Sequence, residues 1–141
     1  MEPRISIITL GVKDLARSRN FYENGLGWKA ASGDFEKIVF FQLGGLALAL
    51  YPYGLLAEDA SMAPGCAGFR GFTLAHNVRF KEEVGRILDQ AEKAGGGIAR
   101  PAQDVFWGGH SGYFTDPDGY LWEVAWNPHL KLNARGEVDL S

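Results

Sequence analysis

The order strand, helix, then three strands is written twice along this chain of 141 residues. Ile5–Val12 is β-branched and apolar and reads as a buried strand. Asp14 offers a helix N-cap, Leu15, Ser18, Phe21 and Tyr22 fall on one helical stripe, and Asn24-Gly25 ends the helix. Residues 27–34 are small and polar, a strand start and a turn. Lys37–Leu43 and Leu46–Tyr53 are the next strands, joined at Gly44-Gly45. Residues 54–68 are irregular, with Leu55–Ala60 allowing one helical turn and Met62–Gly68 reading as a linker. The order then returns. Phe69–His76 is a strand and Arg79–Ala94 a helix with Val84, Ile87, Leu88 and Ala91 on its apolar stripe. Gly95–Gly97 stops it, Ile98–Arg100 is a short strand, and Gly112–Thr115 and Tyr120–Trp126 form a closing hairpin. Side by side, Ile8-Thr9-Leu10 matches Phe72-Thr73-Leu74, and Gly44–Ala49 matches Asp118–Glu123. A βαβββ unit has an apolar sheet face that it cannot cover alone, so two such units should pair. The predicted fold is α+β: a single domain, 1–141, of two paired βαβββ modules, about 4–53 and 69–128, forming curved mixed sheets around a cupped cavity. Residues 129–141 are expected as a polar surface tail.

The closing hairpin carries the strongest local signal. Its centre, Asp116-Pro117-Asp118-Gly119, is a tight reversal: Pro117 presets φ, Asp116 can bond its own turn, and Gly119 can take positive φ. One carboxylate, Glu123, sits in the otherwise apolar second strand, and a charge there needs a reason. Strand alternation places it with Leu121 and Ala125, opposite Trp122 and Val124.

Several function classes are disfavoured. Net charge is −3, with no stripe of Lys or Arg, so neither nucleic acid nor an anionic membrane is an expected partner. Cys66 is the single cysteine, which rules out an internal disulfide and a thiolate metal cluster and suits a reducing compartment. It has no neighbouring base and reads as inert. The start, Met1–Ile5, lacks a basic segment followed by an apolar one, and the longest apolar run, Leu46–Tyr51, is far short of the ~20 residues that span a bilayer, so a cytoplasmic location is expected. There is no G-x-S-x-G elbow, and Gly95–Gly97 follows a helix rather than opening one, so it is no phosphate loop.

Two stretches carry a resemblance: Ile8–Leu15 with Phe21-Tyr22 and Gly25-Leu26-Gly27-Trp28, and Phe114–Glu123. With them the chain resembles the vicinal oxygen chelate superfamily, which includes glyoxalase I, bleomycin- and fosfomycin-resistance proteins and extradiol dioxygenases. The resemblance covers about residues 4–128. It implies a divalent metal in the cup, held by His, Gln or Glu on the first strand of each half and Glu on the last, and it implies a homodimer. Carried over, the first-strand positions fall on Ile7 and Gly71, and the last-strand positions on Ala49 (Leu48 if the register slips by one) and Glu123. Only Glu123 is of a ligating type, and one carboxylate is not a metal site. No cofactor is therefore expected, although a divalent metal held by a non-standard ligand set stays open.

Each candidate residue has two readings. Glu123 is either a catalytic base or surviving ligand, or a carboxylate bonded to an Arg or to backbone. His110, after Gly108-Gly109, either replaces a lost donor beside Glu123 or is a rim histidine. His76 reads as a strand-end histidine, and His129 carries no role. Trp107 and Tyr113 are candidates for the ligand wall, with Trp122, Trp126, Phe40 and Phe41 either wall or core. Ile7 and Gly71 would leave the cup floor apolar and roomy. Arg4, Arg70 and Arg100 can clamp an acidic ligand or pair with Glu123, or lie exposed at strand ends. Two functions follow. One is a protein that binds a small organic molecule in an apolar, aromatic-lined cup; the other is a metal-dependent lyase, isomerase or dioxygenase using Glu123.

Overall fold

The computed structural model describes residues 1, 6–32, 36–60, 65, 70 and 72–139. The chain divides into two compact units, Met1–Arg70 and Gly71–Ser141.

In the first unit, strand β1 (Ile7–Val12) lies parallel to β3 (Leu46–Pro52), which pairs antiparallel with β2 (Val39–Leu43). Helix α1 (Leu15–Asn20) is capped by Asp14, whose Oδ1 accepts from Arg17 N at 3.0 Å. It continues as a π-helical turn, Phe21–Gly25, and this wider turn puts Phe21 and Tyr22 fully into the core beside Ser18. Tyr22 packs against Phe41 and Trp28, so the helical segment covers the sheet face that bears Leu10, Val12, Phe41, Leu48 and Leu50. The strand start expected near residue 30 is a single bridge, Ala30 to Phe41, with no ladder beyond it. Small polar residues around it supply little to pack on a sheet. After β3, where one helical turn is expected within irregular chain, helix α2 (Tyr53–Asp59) forms, starting two residues before that turn. A Cβ on Gly11 would meet Tyr53 Cδ2 at 2.9 Å and Leu56 Cδ2 at 3.3 Å, so α2 rests directly on β1, on the face opposite α1.

The second unit has a four-stranded sheet in the order β4 (Leu74–Val78), β7 (Leu121–Trp126), β6 (His110–Thr115), β5 (Gly97–Asp104). Helix α3 (Glu82–Lys93) buries Val84, Leu88 and Ala91. Leu88 Cδ1 lies 2.5 Å from where a Cβ of Gly112 would stand, which fixes the face that α3 covers as that of Gly112, Phe114, Trp122 and Val124. Phe114 and Trp122 stack there with centroids 6.1 Å apart. β5 is longer than expected and is bulged on both sides of Arg100. The β6–β7 reversal forms as read: Asp116 Oδ1 accepts from Asp118 N and Tyr120 N, each at 2.9 Å, and Gly119 has φ +85°. The expected surface tail is ordered as a hairpin, β8 (Lys131–Leu132) with β9 (Val138–Asp139). Arg79 holds it by donating to the carbonyls of Leu132, Asn133 and Ala134.

Both units therefore use an α+β plan in which a helix covers one face of the sheet; in the first unit α2 also covers part of the opposite face. Among the described residues no helix is long and apolar enough to cross a membrane.

Candidate functional site

Glu123 stands midway along β7, opposite Tyr113 on β6 and Ala75 on β4. Register places Ser111, Tyr113, Thr115, Leu121, Ala125 and Ala75 on its face, the face that α3 does not cover. The strand alternation read from the sequence holds. Tyr113 faces Glu123 directly across the ladder. Partial burial first, then the charge of Glu123, push the phenol above its usual pKa, against a smaller opposing pull from Arg100.

Arg100 is the residue that sequence reasoning left at a strand end. The bulges of β5 turn it onto Tyr113, its partner in the ladder. Its Cζ lies 4.7 Å from the Tyr113 ring centroid, and its Nη2 donates to Ser111 Oγ at 2.6 Å. Its Nε is buried without a hydrogen-bond partner, an arrangement that costs about 1–3 kcal/mol and so needs other contacts to hold the guanidinium plane in place. Arg100 and Glu123 thus flank Tyr113 from the two neighbouring strands, and among the described residues neither is in an ion pair.

His110 lies elsewhere. Register pairs it with Trp126, so it stands on the helix side of the sheet, away from Glu123. Its Nδ1 is 2.7 Å from Asp104 Oδ1, which also meets Lys81 Nζ at 2.7 Å. Hydrogen bonds from Lys81 and then His110 hold the Asp104 carboxyl below its ordinary pKa. His76 is on the same side of the sheet as His110. It is accessible, but the protein packed around it lowers its imidazole pKa, an effect that the charge of Glu83 partly opposes. Trp107 is half-buried, its ring laid over Gly109 so closely that a Cβ there would overlap it. Trp122 and Phe41 are core, while Phe40 shares the ladder position of Ala49 on the first unit's other face. Arg70 sits 6.0 Å from the Tyr53 ring centroid. Gly71, Arg4 and Cys66 lie outside the described residues.

In the first unit, Ile7 and Ala49 both stand on the face opposite α1, and Leu48 is in the core beneath α1, so Ala49 is the counterpart of Glu123. The ladders also shift the first-strand match by two residues. Thr9 stands beside Ala49 and Ala75 beside Glu123, so the residue corresponding to Ile7 is Thr73. Ile7 is 51% exposed, an unusual setting for isoleucine, and Ala49 is fully buried.

A family model for the Glyoxalase/Bleomycin resistance protein/Dioxygenase superfamily matches residues 4–124. The chain belongs to this superfamily. A glyoxalase-related enzyme from Fulvimarina pelagi is 37% identical, with 99% of each chain covered and a TM-score of 0.90. Two more distant structures share the superfamily fold. A glyoxalase/bleomycin resistance protein/dioxygenase family enzyme from Burkholderia phytofirmans is 17% identical, covering 86% of this chain and 96% of that one, with TM-score 0.77. Lactoylglutathione lyase from Agrobacterium tumefaciens is 22% identical, covering 89% and 94%, with TM-score 0.65. No curated protein matches the chain.

Superfamily members usually bind a divalent metal, and the donor set here can be tested against one. Ile7 and Ala49 offer no donor, Thr73 offers a neutral hydroxyl, and Glu123 is the one carboxylate at these positions. Among the described residues no three His, Cys, Asp or Glu side chains are grouped so as to hold an ion. This set does not fit the metal, because useful affinity needs three or four converging donors.

Proposed function

We propose that this superfamily member is a small-molecule-binding protein that has lost the ancestral metal site and holds an organic ligand against apolar and aromatic side chains. One observation carries the reading. The first unit's equivalents of the metal-ligand positions, Ile7 and Ala49, are apolar and share one sheet face, and Glu123 stands at its own position across the ladder from Tyr113. Burying roughly 300 Å² of apolar ligand surface would supply about 7 kcal/mol before the entropy costs of association, so polar contacts must add to it. Tyr113 and Trp107 are the aromatic groups proposed to line the site, Tyr113 from the sheet face and Trp107 from the loop that precedes β6.

The test is elemental analysis joined to native mass spectrometry of the purified full chain. The reading expects no stoichiometric metal and a saturable small organic ligand. A divalent ion at one per chain that disappears in Glu123→Gln would overturn it and favour a metal-dependent lyase, isomerase or dioxygenase.

A further inference from the structure

We propose that the face of the second unit's sheet opposite α3 recognises a small organic acid that also bears a hydrogen-bond donor, with its carboxylate against Arg100 and its hydroxyl or amino group against Glu123. The inference rests on the small-molecule reading above and narrows it to a ligand class.

Arg100 and Glu123 sit on the same sheet face, one strand to either side of Tyr113 and level with it in the ladder. Adjacent strands are ~4.8 Å apart, which separates their backbones by roughly 10 Å, a span that two long side chains leaning together can close. They do not close it. The guanidinium is laid on the Tyr113 ring and anchored to Ser111 Oγ, and the carboxylate stands on the far strand, level with Tyr113 in the ladder. Two half-buried opposite charges are thus kept apart on one surface by an aromatic spacer, each with hydrogen-bonding capacity to spare.

This arrangement selects among ligands. A guanidinium with no carboxylate partner among the described residues binds an oxyanion through charge-assisted hydrogen bonds, and its fixed plane suits a planar carboxylate. An uncharged ligand would desolvate Arg100 without returning an anion to it. A diacid would press its second negative charge onto Glu123. The ligand that satisfies both ends carries one carboxylate and, at a spacing of a few bonds, one donor for the glutamate. Ser111, which is 1% exposed, acts through Arg100 as a positioning residue.

Isothermal titration calorimetry on the full chain tests this with three related probes. Mandelate has both groups, phenylacetate lacks the hydroxyl, and methyl mandelate lacks the charge. The expected order is mandelate tightest, with each of the others about tenfold weaker or more. Arg100→Gln should erase the preference for mandelate over its methyl ester, and Glu123→Ala the preference for mandelate over phenylacetate. The comparison of probes on the unaltered protein needs no variant to fold. Equal affinity for acid and ester, preferences that survive both substitutions, or no saturable mandelate binding up to ~10 mM, each overturns the proposal. None of these results touches the small-molecule reading itself, which falls only on a stoichiometric bound metal.

Discussion

Gly109→Ala tests whether the Trp107 loop is built on contact between an indole ring and bare backbone. A Cβ at residue 109 would overlap Trp107 at Cζ3 and Cη2 and stand 2.6 Å from Cε3. The backbone there is pinned, because Val105 N donates to the Gly109 carbonyl at 3.0 Å and Gly108 N donates to the Val105 carbonyl at 3.0 Å. The ring must therefore leave. A tryptophan that is half-buried gives up ~100 Å² on leaving, and at ~25 cal/mol/Å² the loss is about 2 kcal/mol. For a chain of this size that is roughly 6 °C in Tm. Chemical denaturation and tryptophan fluorescence report the two halves of the claim, the destabilisation and a red shift as the indole is hydrated. The decisive control repeats the substitution in Trp107→Ala. With the ring gone, the added methyl should cost almost nothing, so the double-mutant cycle should show a coupling of about 2 kcal/mol. A loss below ~0.5 kcal/mol in the native background, or the same loss with Trp107 removed, refutes the reasoning.

Three further outcomes are expected. Gly119→Ala should destabilise by about 1–2 kcal/mol, because residue 119 holds φ +85° with open space where a Cβ would sit; the cost is conformational and Gly119→Asn should recover part of it in equilibrium unfolding. Since the folded-state pKa of Tyr113 is raised, its contribution to stability is fully present below the ordinary phenol value and is lost as pH rises through the raised one. Ultraviolet difference titration against Tyr113→Phe should show a late-titrating phenol that moves towards its usual value in Glu123→Gln. Arg79→Ala should release the β8–β9 hairpin, seen as faster amide exchange over 131–139, while global stability falls by no more than about 1 kcal/mol.

The sequence was informative where the determinants are local. Asp116, Pro117 and Gly119 specify their turn within five residues, and alternation along β7 was enough to set Glu123 apart from Trp122. The helical stripes were legible for the same reason, with Ser18, Phe21 and Tyr22 in one core and Val84, Leu88 and Ala91 in the other. What sequence could not supply is pairing between strands. The two-residue shift that replaces Gly71 by Thr73 as the partner position of Ile7 appears only when each first strand is read against its neighbour. Arg100 could not be told from Arg4 and Arg70 in the sequence, because its direction depends on the bulges in β5, which no period-two pattern contains. His110 looked close to Glu123 because both belong to one hairpin, yet the parity of its position sends it through the sheet to Asp104. The α2 contact on Gly11 had one readable trace, a glycine inside an otherwise β-branched strand, which marks a close approach.

The alanine at position 49 has a consequence for how this lineage can change. It has no solvent exposure, and it lies on the same side of β3 as the segment where α2 rests on β1. A glutamate introduced there would be crowded and stripped of water at once, so that single substitution is closed off unless the surroundings are remodelled first. The packing around position 49 thus fits a small side chain, and a charged donor there calls for a second, compensating change in its neighbours.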